Sequence, residues 1–279
     1  MKIAVTGANG FIGRHVIPLL IKQGFDVVAI VRKVSKETKL SNECHVIEHE
    51  IGIQDDLLFS KLGAPDVLLH LAWGGLPNYK SMYHIDIELP KHYHFIQQMV
   101  VSGIRSVAVV GTCFEYGMQS GALSEGFETK PDNPYGYAKD ALRKQLQFLQ
   151  QENDFMLTWM RLFYMYGEDQ PENTLYSQFK TAVLNNDPVF NMSGGEQLRD
   201  YLSVDDVANK IMLLVSIYKD IGIVNICSGS PVSIRSLVER WSLAYKAEIS
   251  LNFGYYPYPD YEPMAFWGDQ SRFEKIVHL

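Results

Sequence analysis

The sequence has few cysteines, no excess of positive charge and no long apolar run. Its three cysteines, Cys44, Cys113 and Cys227, lie far apart, in no spacing typical of a disulfide framework or a metal site, which favours a reducing compartment. A net charge of −7 disfavours binding to nucleic-acid phosphates, and no apolar run reaches the length of about 18 residues that a membrane span needs. The chain also opens on a strand-like segment rather than on a secretory leader. We therefore expect a cytoplasmic protein that binds neither nucleic acid nor a membrane.

What the sequence does contain, up to about residue 160, is an alternation of short apolar runs with longer amphipathic stretches. This alternation is typical of βαβ units that build a parallel sheet, and it predicts an α/β fold. The predicted strands are Ile3–Val5, Val27–Val31, Val46–Ile47, Val67–Leu71, Ser106–Val110 and Met156–Met160. A later helical stretch at Asp205–Tyr218 and a strand-like Ile223–Cys227 follow a less regular region.

A glycine-rich turn joins the first predicted strand to the first predicted helix. Gly7 permits a tight turn, Gly10 lets the backbone approach a pyrophosphate, and Gly13 allows close packing of helix on strand. A pyrophosphate at this point would meet the free N–H groups and the dipole of a helix N-terminus. The turn therefore predicts a dinucleotide-binding site, with contacts from Gly7, Asn9, Gly10, Phe11, Ile12 and Gly13.

The end of the second predicted strand bears on the choice between the two nicotinamide cofactors. An NAD-binding fold usually has a carboxylate there that holds the ribose 2′-hydroxyl, but this chain has Val31 followed by Arg32 and Lys33. A guanidinium can bind a 2′-phosphate with two hydrogen bonds, whereas a carboxylate would repel it. We therefore expect NADP(H) rather than NAD(H), with contacts from Arg32 and Lys33. The alternative is that these two cations form an ordinary solvated strand end.

A Tyr-x-x-x-Lys pair opens the predicted helix that follows the fifth strand. Tyr135 and Lys139 are four residues apart and so share a helix face, where the lysine is expected to lower the pKa of the phenol. Thr112 stands about two dozen residues upstream at the end of a predicted strand, the edge at which ligands bind in open parallel sheets. We therefore predict Thr112, Tyr135 and Lys139 as the catalytic residues.

The order of glycine-rich turn, strand-end threonine and Tyr-x-x-x-Lys resembles the extended short-chain dehydrogenase/reductase family, also called the NAD-dependent epimerase/dehydratase family. Further segments carry the resemblance along nearly the whole chain. They are His70-Leu71-Ala72-Trp73, Arg161-Leu162-Phe163-Tyr164-Met165-Tyr166-Gly167, Leu198-Arg199-Asp200-Tyr201-Leu202-Ser203-Val204-Asp205-Asp206 and Val224-Asn225-Ile226-Cys227-Ser228-Gly229.

The resemblance implies a doubly wound parallel Rossmann sheet of about seven strands with a smaller C-terminal substrate-binding lobe. The expected division places residues 1–165, with 203–223 returning to them, in the dinucleotide-binding domain, and residues 166–202 and 224–279 in the lobe. It implies that Tyr135 is the acid/base, that Lys139 binds the nicotinamide ribose and tunes Tyr135, and that Thr112 orients the substrate oxygen. Leu71 and Ala72 would run beside the cofactor, and Arg199 would meet a substrate diphosphate. A homodimer, paired through helices at about Tyr83–Val101 and Tyr135–Gln151, is expected by the same resemblance.

Departures from the family pattern narrow the reaction. Family dehydratases have an Asp-Glu pair directly after the threonine, where this chain has Cys113 and Phe114, so 4,6-dehydration is rejected. Cys113 is interpreted as a small buried residue in preference to an acid/base. Tyr164 replaces a usual asparagine, and Asp86 stands where many relatives have asparagine; no role is carried onto either residue.

Three functions are compatible with this pattern. The favoured one is NADPH-dependent reduction of the C4 ketone of a nucleoside-diphosphate-4-keto-6-deoxyhexose, such as a dTDP-linked one, as in enzymes that make deoxysugars for surface polysaccharide. The alternative is a nucleotide-sugar 4-epimerase with tightly bound NAD, and the third is a non-catalytic nucleotide sensor. The aromatic tail from Phe253 to Trp267 either stacks on a nucleotide base or forms part of the core of the smaller lobe.

Overall fold

The computed structural model describes residues 1–34, 40, 43–258, 260 and 262–278. The described residues form fifteen strands: β1 Lys2–Thr6, β2 Asp26–Val31, β3 His45–Glu48, β4 Val67–His70, β5 Ser106–Thr112, β6 Gly121–Leu123, β7 Met156–Leu162, β8 Tyr164–Tyr166, β9 Val189–Asn191, β10 Leu198–Arg199, β11 Tyr201–Ser203, β12 Gly222–Ile226, β13 Val232–Ser233, β14 Ser250–Asn252 and β15 Phe266–Gly268.

The helices alternate with the strands through the first half of the chain. They are α1 Phe11–Lys22, α2 Leu58–Lys61, α3 Leu89–Val101, α4 Pro134–Glu152, α5 Leu175–Leu184, α6 Val204–Ile217, α7 Ile234–Tyr245 and α8 Ser271–Val277. A π-helical turn, His84–Glu88, leads into α3, and a 3₁₀ turn, Cys113–Tyr116, follows β5. Within the part of the chain that the structure describes, no helix is both long and apolar enough to cross a membrane.

Seven parallel strands make the central sheet, in the order β12-β7-β5-β4-β1-β2-β3. One buried cluster packs α1 and α6 against one face, and a second packs α3 and α4 against the other. The α/β class and the doubly wound parallel sheet predicted from the sequence are confirmed. Because the strand order reverses direction beside β1 and β4, a crevice opens at the carboxyl ends of these two strands, which is where such sheets bind ligands.

A separate apolar cluster lies among α5, α7 and the short strands β9 and β14, around Phe179 and Trp241. The predicted boundary of the smaller lobe at residue 224 falls inside β12, which pairs with β7 at the edge of the central sheet. The division into two domains stays a prediction.

The aromatic tail of the sequence does not form one stacking surface. Phe253 packs on the lobe cluster and Phe266 is buried under β8, whereas Tyr255 and Tyr256 are exposed. Of the described tail residues, none lines the cavity at the carboxyl ends of the sheet strands. Two further positions of this tail, Pro259 and Tyr261, lie outside the described residues.

Candidate active site

The glycine-rich turn between β1 and α1 leaves a helix N-terminus open to an anion. Gly7 has a φ of 66°, and a Cβ added there would lie 2.8 Å from the amide nitrogen of Ala72. The N-cap of α1 is Gly10, which has no side chain to cap the helix, and no acidic residue stands in the first turn. The first amides of α1 are therefore available to a phosphate, as the turn predicts.

A cavity of about 780 Å³ extends from this turn along the carboxyl ends of the sheet strands. Most of the predicted site residues line it together: Gly7, Asn9, Gly10, Phe11, Ile12, Gly13, Arg32, Lys33, Leu71, Ala72, Thr112, Tyr135 and Lys139. Because the glycines leave room for a pyrophosphate and the cavity is long, these residues fit a dinucleotide. Their individual roles stay predictions.

Thr112 and Tyr135 meet where β5 ends and α4 begins. Asn133 caps α4 by accepting a hydrogen bond from the amide of Gly136 at 2.9 Å, which orients the first turn that carries Tyr135. The amide of Tyr135 donates to the carbonyl of Tyr79 at 3.1 Å, so a loop contact also fixes the turn. Two nearly buried hydroxyls consequently lie side by side in one wall of the cavity.

The protonation state of Tyr135 differs from the prediction. Burial raises the pKa of the Tyr135 phenol above its ordinary value, Tyr79 raises it further, and the hydrogen bond with Thr112 opposes them. The ammonium of Lys139 donates to the carbonyl of Val110 at 2.9 Å and lies 4.1 Å from the ring centre of Trp73. The pKa of the Tyr135 phenol is thus raised rather than lowered, and the phenol is protonated at neutral pH. The tuning of Tyr135 by Lys139 stays a prediction.

Lys139 itself is 2% exposed, and this burial lowers its pKa from 10.5 to about 7. Glu115 and Glu88 act in the opposite direction, because nearby negative charge favours the ammonium. A lysine with such a pKa exchanges its proton near neutral pH.

Behind the cavity wall, a buried chain of hydrogen bonds joins β1 to α3. Thr6 contacts Nδ1 of His70 at 3.0 Å, Nε2 of His70 contacts Nδ1 of His92 at 2.7 Å, and Nε2 of His92 contacts Glu88 at 2.9 Å. Burial lowers the pKa of His92 to about 4 and that of His70 well below its ordinary value, so both rings are neutral at pH 7. Since the ionised Glu88 can accept but not donate, each ring carries its proton on Nε2, and the hydroxyl of Thr6 donates to His70.

These hydrogen bonds fix the loop that follows β4. Glu88 also accepts from the amide of Gly74 at 2.5 Å, and Thr6 accepts from the amide of Ala72 at 3.3 Å. Trp73, between them, stacks on His92 with ring centres 4.6 Å apart. Glu88 and His92 also line the cavity and were not predicted to do so; their i, i+4 spacing is the signal that indicates their contact.

Arg199 is placed differently from the other predicted residues. It is 3% exposed and pairs with Glu262 at 2.9 Å, stacked over the ring of Phe266. The other oxygen of Glu262 accepts from the hydroxyl of Tyr164, which does line the cavity. Arg199 is not among the described residues that line this cavity, and its contact with a substrate diphosphate stays a prediction.

Comparisons with known proteins agree with this geometry. The sequence model of the NAD dependent epimerase/dehydratase family matches residues 3–227. The chain is 31% identical over 270 residues to dTDP-6-deoxy-L-talose 4-dehydrogenase (NAD(+)) of Aggregatibacter actinomycetemcomitans, covering 96% of this chain and 99% of that protein. It is 28% identical over 247 residues to GDP-6-deoxy-D-talose 4-dehydrogenase of the same organism, covering 86% and 78%.

Two similar solved structures show the same fold. MoeE5 in complex with UDP-glucuronic acid and NAD has a TM-score of 0.84 at 24% identity, covering 100% of this chain and 93% of that one. UDP-glucuronic acid 4-epimerase from Bacillus cereus, in complex with UDP-glucuronic acid and NAD, has a TM-score of 0.83 at 23% identity, with the same coverage.

The prediction of NADP(H) is wrong. The 4-dehydrogenase similar over nearly the whole chain is named for NAD(+), and both solved structures are complexes with NAD. In this chain Arg32 and Lys33 are exposed at one end of the cavity, and Glu50 lines the same end. Glu48 stands beside them and accepts from the amide of Val34 at 3.1 Å. Negative charge therefore lies near the two cations, which disfavours a 2′-phosphate at this point.

The glycine turn, the strands of the central sheet from Ile3 onward, and Thr112, Tyr135 and Lys139 all lie within residues 3–227, which the family model matches. The chain belongs to the NAD dependent epimerase/dehydratase family.

Proposed function

We propose that this protein is a nucleotide-sugar oxidoreductase that interconverts a C4 ketone and a C4 hydroxyl on a nucleoside-diphosphate-linked 6-deoxyhexose, with NAD(H) as its nicotinamide cofactor. The likeness to dTDP-6-deoxy-L-talose 4-dehydrogenase (NAD(+)), at 31% identity over 96% of the chain, supports the substrate class and the cofactor. The paired hydroxyls of Thr112 and Tyr135 in the cavity wall are the structural observation that carries the chemistry.

The cofactor would lie with its pyrophosphate on the amides at the start of α1 and its nicotinamide end toward Lys139. When bound, the nicotinamide accepts or supplies the hydride. The chain's own contribution is to hold the substrate oxygen and to move one proton.

In the direction of ketone reduction, the hydroxyls of Thr112 and Tyr135 would both donate to the C4 oxygen. Because burial raises the pKa of Tyr135, its phenol is protonated at neutral pH and can give its proton to the oxygen as the alcohol forms. The ammonium of Lys139 then favours the phenolate that remains. In the reverse direction Tyr135 would act as the phenolate and take the proton from the C4 hydroxyl.

Cys113 does not compete with Tyr135 for this role. Its side chain is 5% exposed, and burial raises the pKa of the thiol above its ordinary range, with Glu262 adding to the shift. A neutral, buried thiol is a poor base. This supports the interpretation of Cys113 as a small packing residue.

A 4-epimerase remains the second candidate, because the solved 4-epimerase from Bacillus cereus has the same fold over the whole chain. An epimerase would use the same two hydroxyls, since it oxidises C4 and then reduces it from the other face. The two functions differ in whether the reaction causes a net oxidation or reduction of the nicotinamide cofactor.

The test is to follow the nicotinamide absorbance with NADH and NADPH against dTDP-, GDP-, CDP- and UDP-linked 4-keto-6-deoxyhexoses. We expect NADH to be oxidised with one nucleotide class, and NADPH much more slowly, with Tyr135→Phe as the inactive control. Conversion of an intact UDP- or GDP-sugar into its C4 epimer without net change in NADH would favour the epimerase. Absence of both activities would overturn the proposal.

A further inference from the structure

Glu115 is a buried carboxylate that no step of the proposed reaction uses. It stands three residues after Thr112, in the 3₁₀ turn at the end of β5, and is 0% exposed. A carboxylate removed from water is costly unless donors surround it, so its partners indicate what it is for.

Its partners come from three elements of the fold. The amide of Thr112 donates to Oε1 at 2.9 Å, the indole of Trp159 donates to Oε1 at 2.9 Å, and Nε of Arg161 donates to Oε2 at 2.6 Å. The guanidinium of Arg143, on α4, lies 3.9 Å from Oε2. Both oxygens are therefore occupied by charged or N–H donors, and Glu115 is not among the described residues that line the cavity. These contacts leave it no part as an acid or base toward a sugar.

What Glu115 does hold is the backbone that carries Thr112. The hydroxyl of Thr112 accepts a hydrogen bond from the amide of Phe114 at 3.3 Å, while Glu115 takes the amide of Thr112 itself. The two bonds lock the turn from both sides, as in a helix capping box. They fix the place of the Thr112 hydroxyl, which interacts with Tyr135 by a hydrogen bond where both residues line the cavity.

The strand end is built to admit this carboxylate. A Cβ at Gly111 would overlap both Glu115 and Trp159, so glycine at this position lets the carboxylate lie directly against β5. Trp159 and Arg161 are fully buried neighbours on β7, the strand that pairs with β5. Glu115 is consequently anchored to the rigid centre of the sheet rather than to a loop.

We propose that Glu115 is a positioning residue for the reaction, which sets the place of the Thr112 hydroxyl opposite Tyr135 through its hydrogen bond to the Thr112 amide. The inference rests on the proposed function, in which Thr112 holds the substrate oxygen. It follows that a change at Glu115 affects turnover through Thr112. Once the threonine hydroxyl is gone, the same change should lower turnover no further.

The experiment is a double-mutant cycle on kcat with the parent protein, Thr112→Val, Glu115→Gln and the double variant. Valine keeps the shape and the amide of Thr112 and removes the hydroxyl, which should slow turnover by about 100-fold, the scale of losing one donor to a reacting oxygen. We expect Glu115→Gln to lower kcat by at least about 10-fold at unchanged NAD affinity, and the double variant to be no slower than Thr112→Val alone.

Asp200→Asn is the matched control. Asp200 is also a fully buried carboxylate, but it accepts from the amides of Ser228, Gly229 and Gly268 and does not contact Thr112. Any effect of this control on kcat should multiply with that of Thr112→Val, as independent sites do. Thermal midpoints of all variants establish that the assay temperature lies within the folded range.

If Glu115→Gln does not fold, Glu115→Asp replaces it, because aspartate keeps the buried charge for Arg161 and withdraws the carboxylate from the Thr112 amide. The inference is overturned if the folded Glu115 variant has a kcat within about twofold of the parent, or if its loss multiplies with that of Thr112→Val. Full turnover in Thr112→Val would instead contradict the proposed role of Thr112, which is a separate failure.

Discussion

Replacing Lys139 by methionine should make the protein more stable while it abolishes turnover. The perturbation exchanges a buried ammonium for an apolar side chain of similar length. In protein freed of nicotinamide nucleotide, burial lowers the pKa of Lys139 from 10.5 to about 7, so the folded state disfavours the charge that the unfolded chain carries.

The sign of the pH dependence follows from this lowered pKa. Between about pH 7 and pH 10.5 the unfolded state binds more protons at Lys139 than the folded state, so the parent protein gains stability from this group as the pH rises. Lys139 therefore lowers the free energy of unfolding by about 5 kcal/mol at pH 6 and by about 2 kcal/mol at pH 9, at 1.36 kcal/mol per pKa unit. The lost hydrogen bond to the carbonyl of Val110 offsets about 1 kcal/mol. Lys139→Met should therefore stabilise by about 4 kcal/mol at pH 6 and about 1 kcal/mol at pH 9.

The assay is guanidinium unfolding of parent and variant at pH 6, 7.5 and 9, with free energies of unfolding extrapolated to water. Lys144→Met is the control, because Lys144 lies on the same helix with its side chain 53% exposed, paired with Asp140. This control should change stability by less than about 1 kcal/mol at each pH.

A variant that is less stable than the parent at pH 6 would contradict a lowered pKa of Lys139 in the folded state. So would a stabilisation that stays the same from pH 6 to pH 9, because the pH dependence comes from the lysine's own titration. Retained turnover in Lys139→Met would show that the ammonium is not needed for the proton step.

Three further results are expected. Tyr135→Phe should lower kcat by about 100-fold or more, since the phenol is needed for proton transfer. The NAD affinity, measured by fluorescence titration, should stay within about twofold of the parent. Near-normal turnover would exclude Tyr135 as the acid/base. Gly13→Ala should destabilise the protein more than Gly10→Ala in thermal unfolding, because a Cβ at Gly13 would overlap the carbonyls of Gly7 and Ala8, whereas one at Gly10 lies 3.1 Å from the Gly7 carbonyl; equal losses would contradict the packing argument. Burial acts to raise the pKa of Glu88, but hydrogen bonds from His92, Lys91 and the Gly74 amide lower it on balance, so the stabilisation that Glu88 gives is present above about pH 4.5 and lost as the pH falls further. Glu88→Gln should therefore lower the free energy of unfolding by about 2–3 kcal/mol at pH 7 and by much less in acid. A loss that does not depend on pH in denaturant titrations would count against this.

Local sequence patterns predicted the strands of the central sheet up to β7 and the helix that carries Tyr135. They did so because a parallel strand buried on both faces is a continuous apolar run, as Val67–His70 is, and needs no distant partner to be identified. The glycine turn was equally readable, since each glycine answers a backbone requirement of the turn itself.

The cofactor was predicted wrongly because the rule used two adjacent cations and ignored the third strand. Glu48 lies far from Arg32 in sequence, yet β3 pairs with β2 and places Glu48 opposite Val31, the residue before Arg32. A charge pattern on one strand could not show what its neighbour contributes.

The sequence alone was enough to predict the fold class and the glycine-rich turn, because these depend on neighbours within a few positions, and it named Thr112, Tyr135 and Lys139, which the fold brings to one cavity. The tertiary structure decided the protonation and placement of those residues. Arg161 and Trp159 reach Glu115 across more than forty positions, His70 reaches Thr6 across 64, and Glu262 reaches Arg199 across 63. Such contacts follow from which strands and loops the fold brings together, and burial at those contacts sets the pKa values on which the chemistry depends.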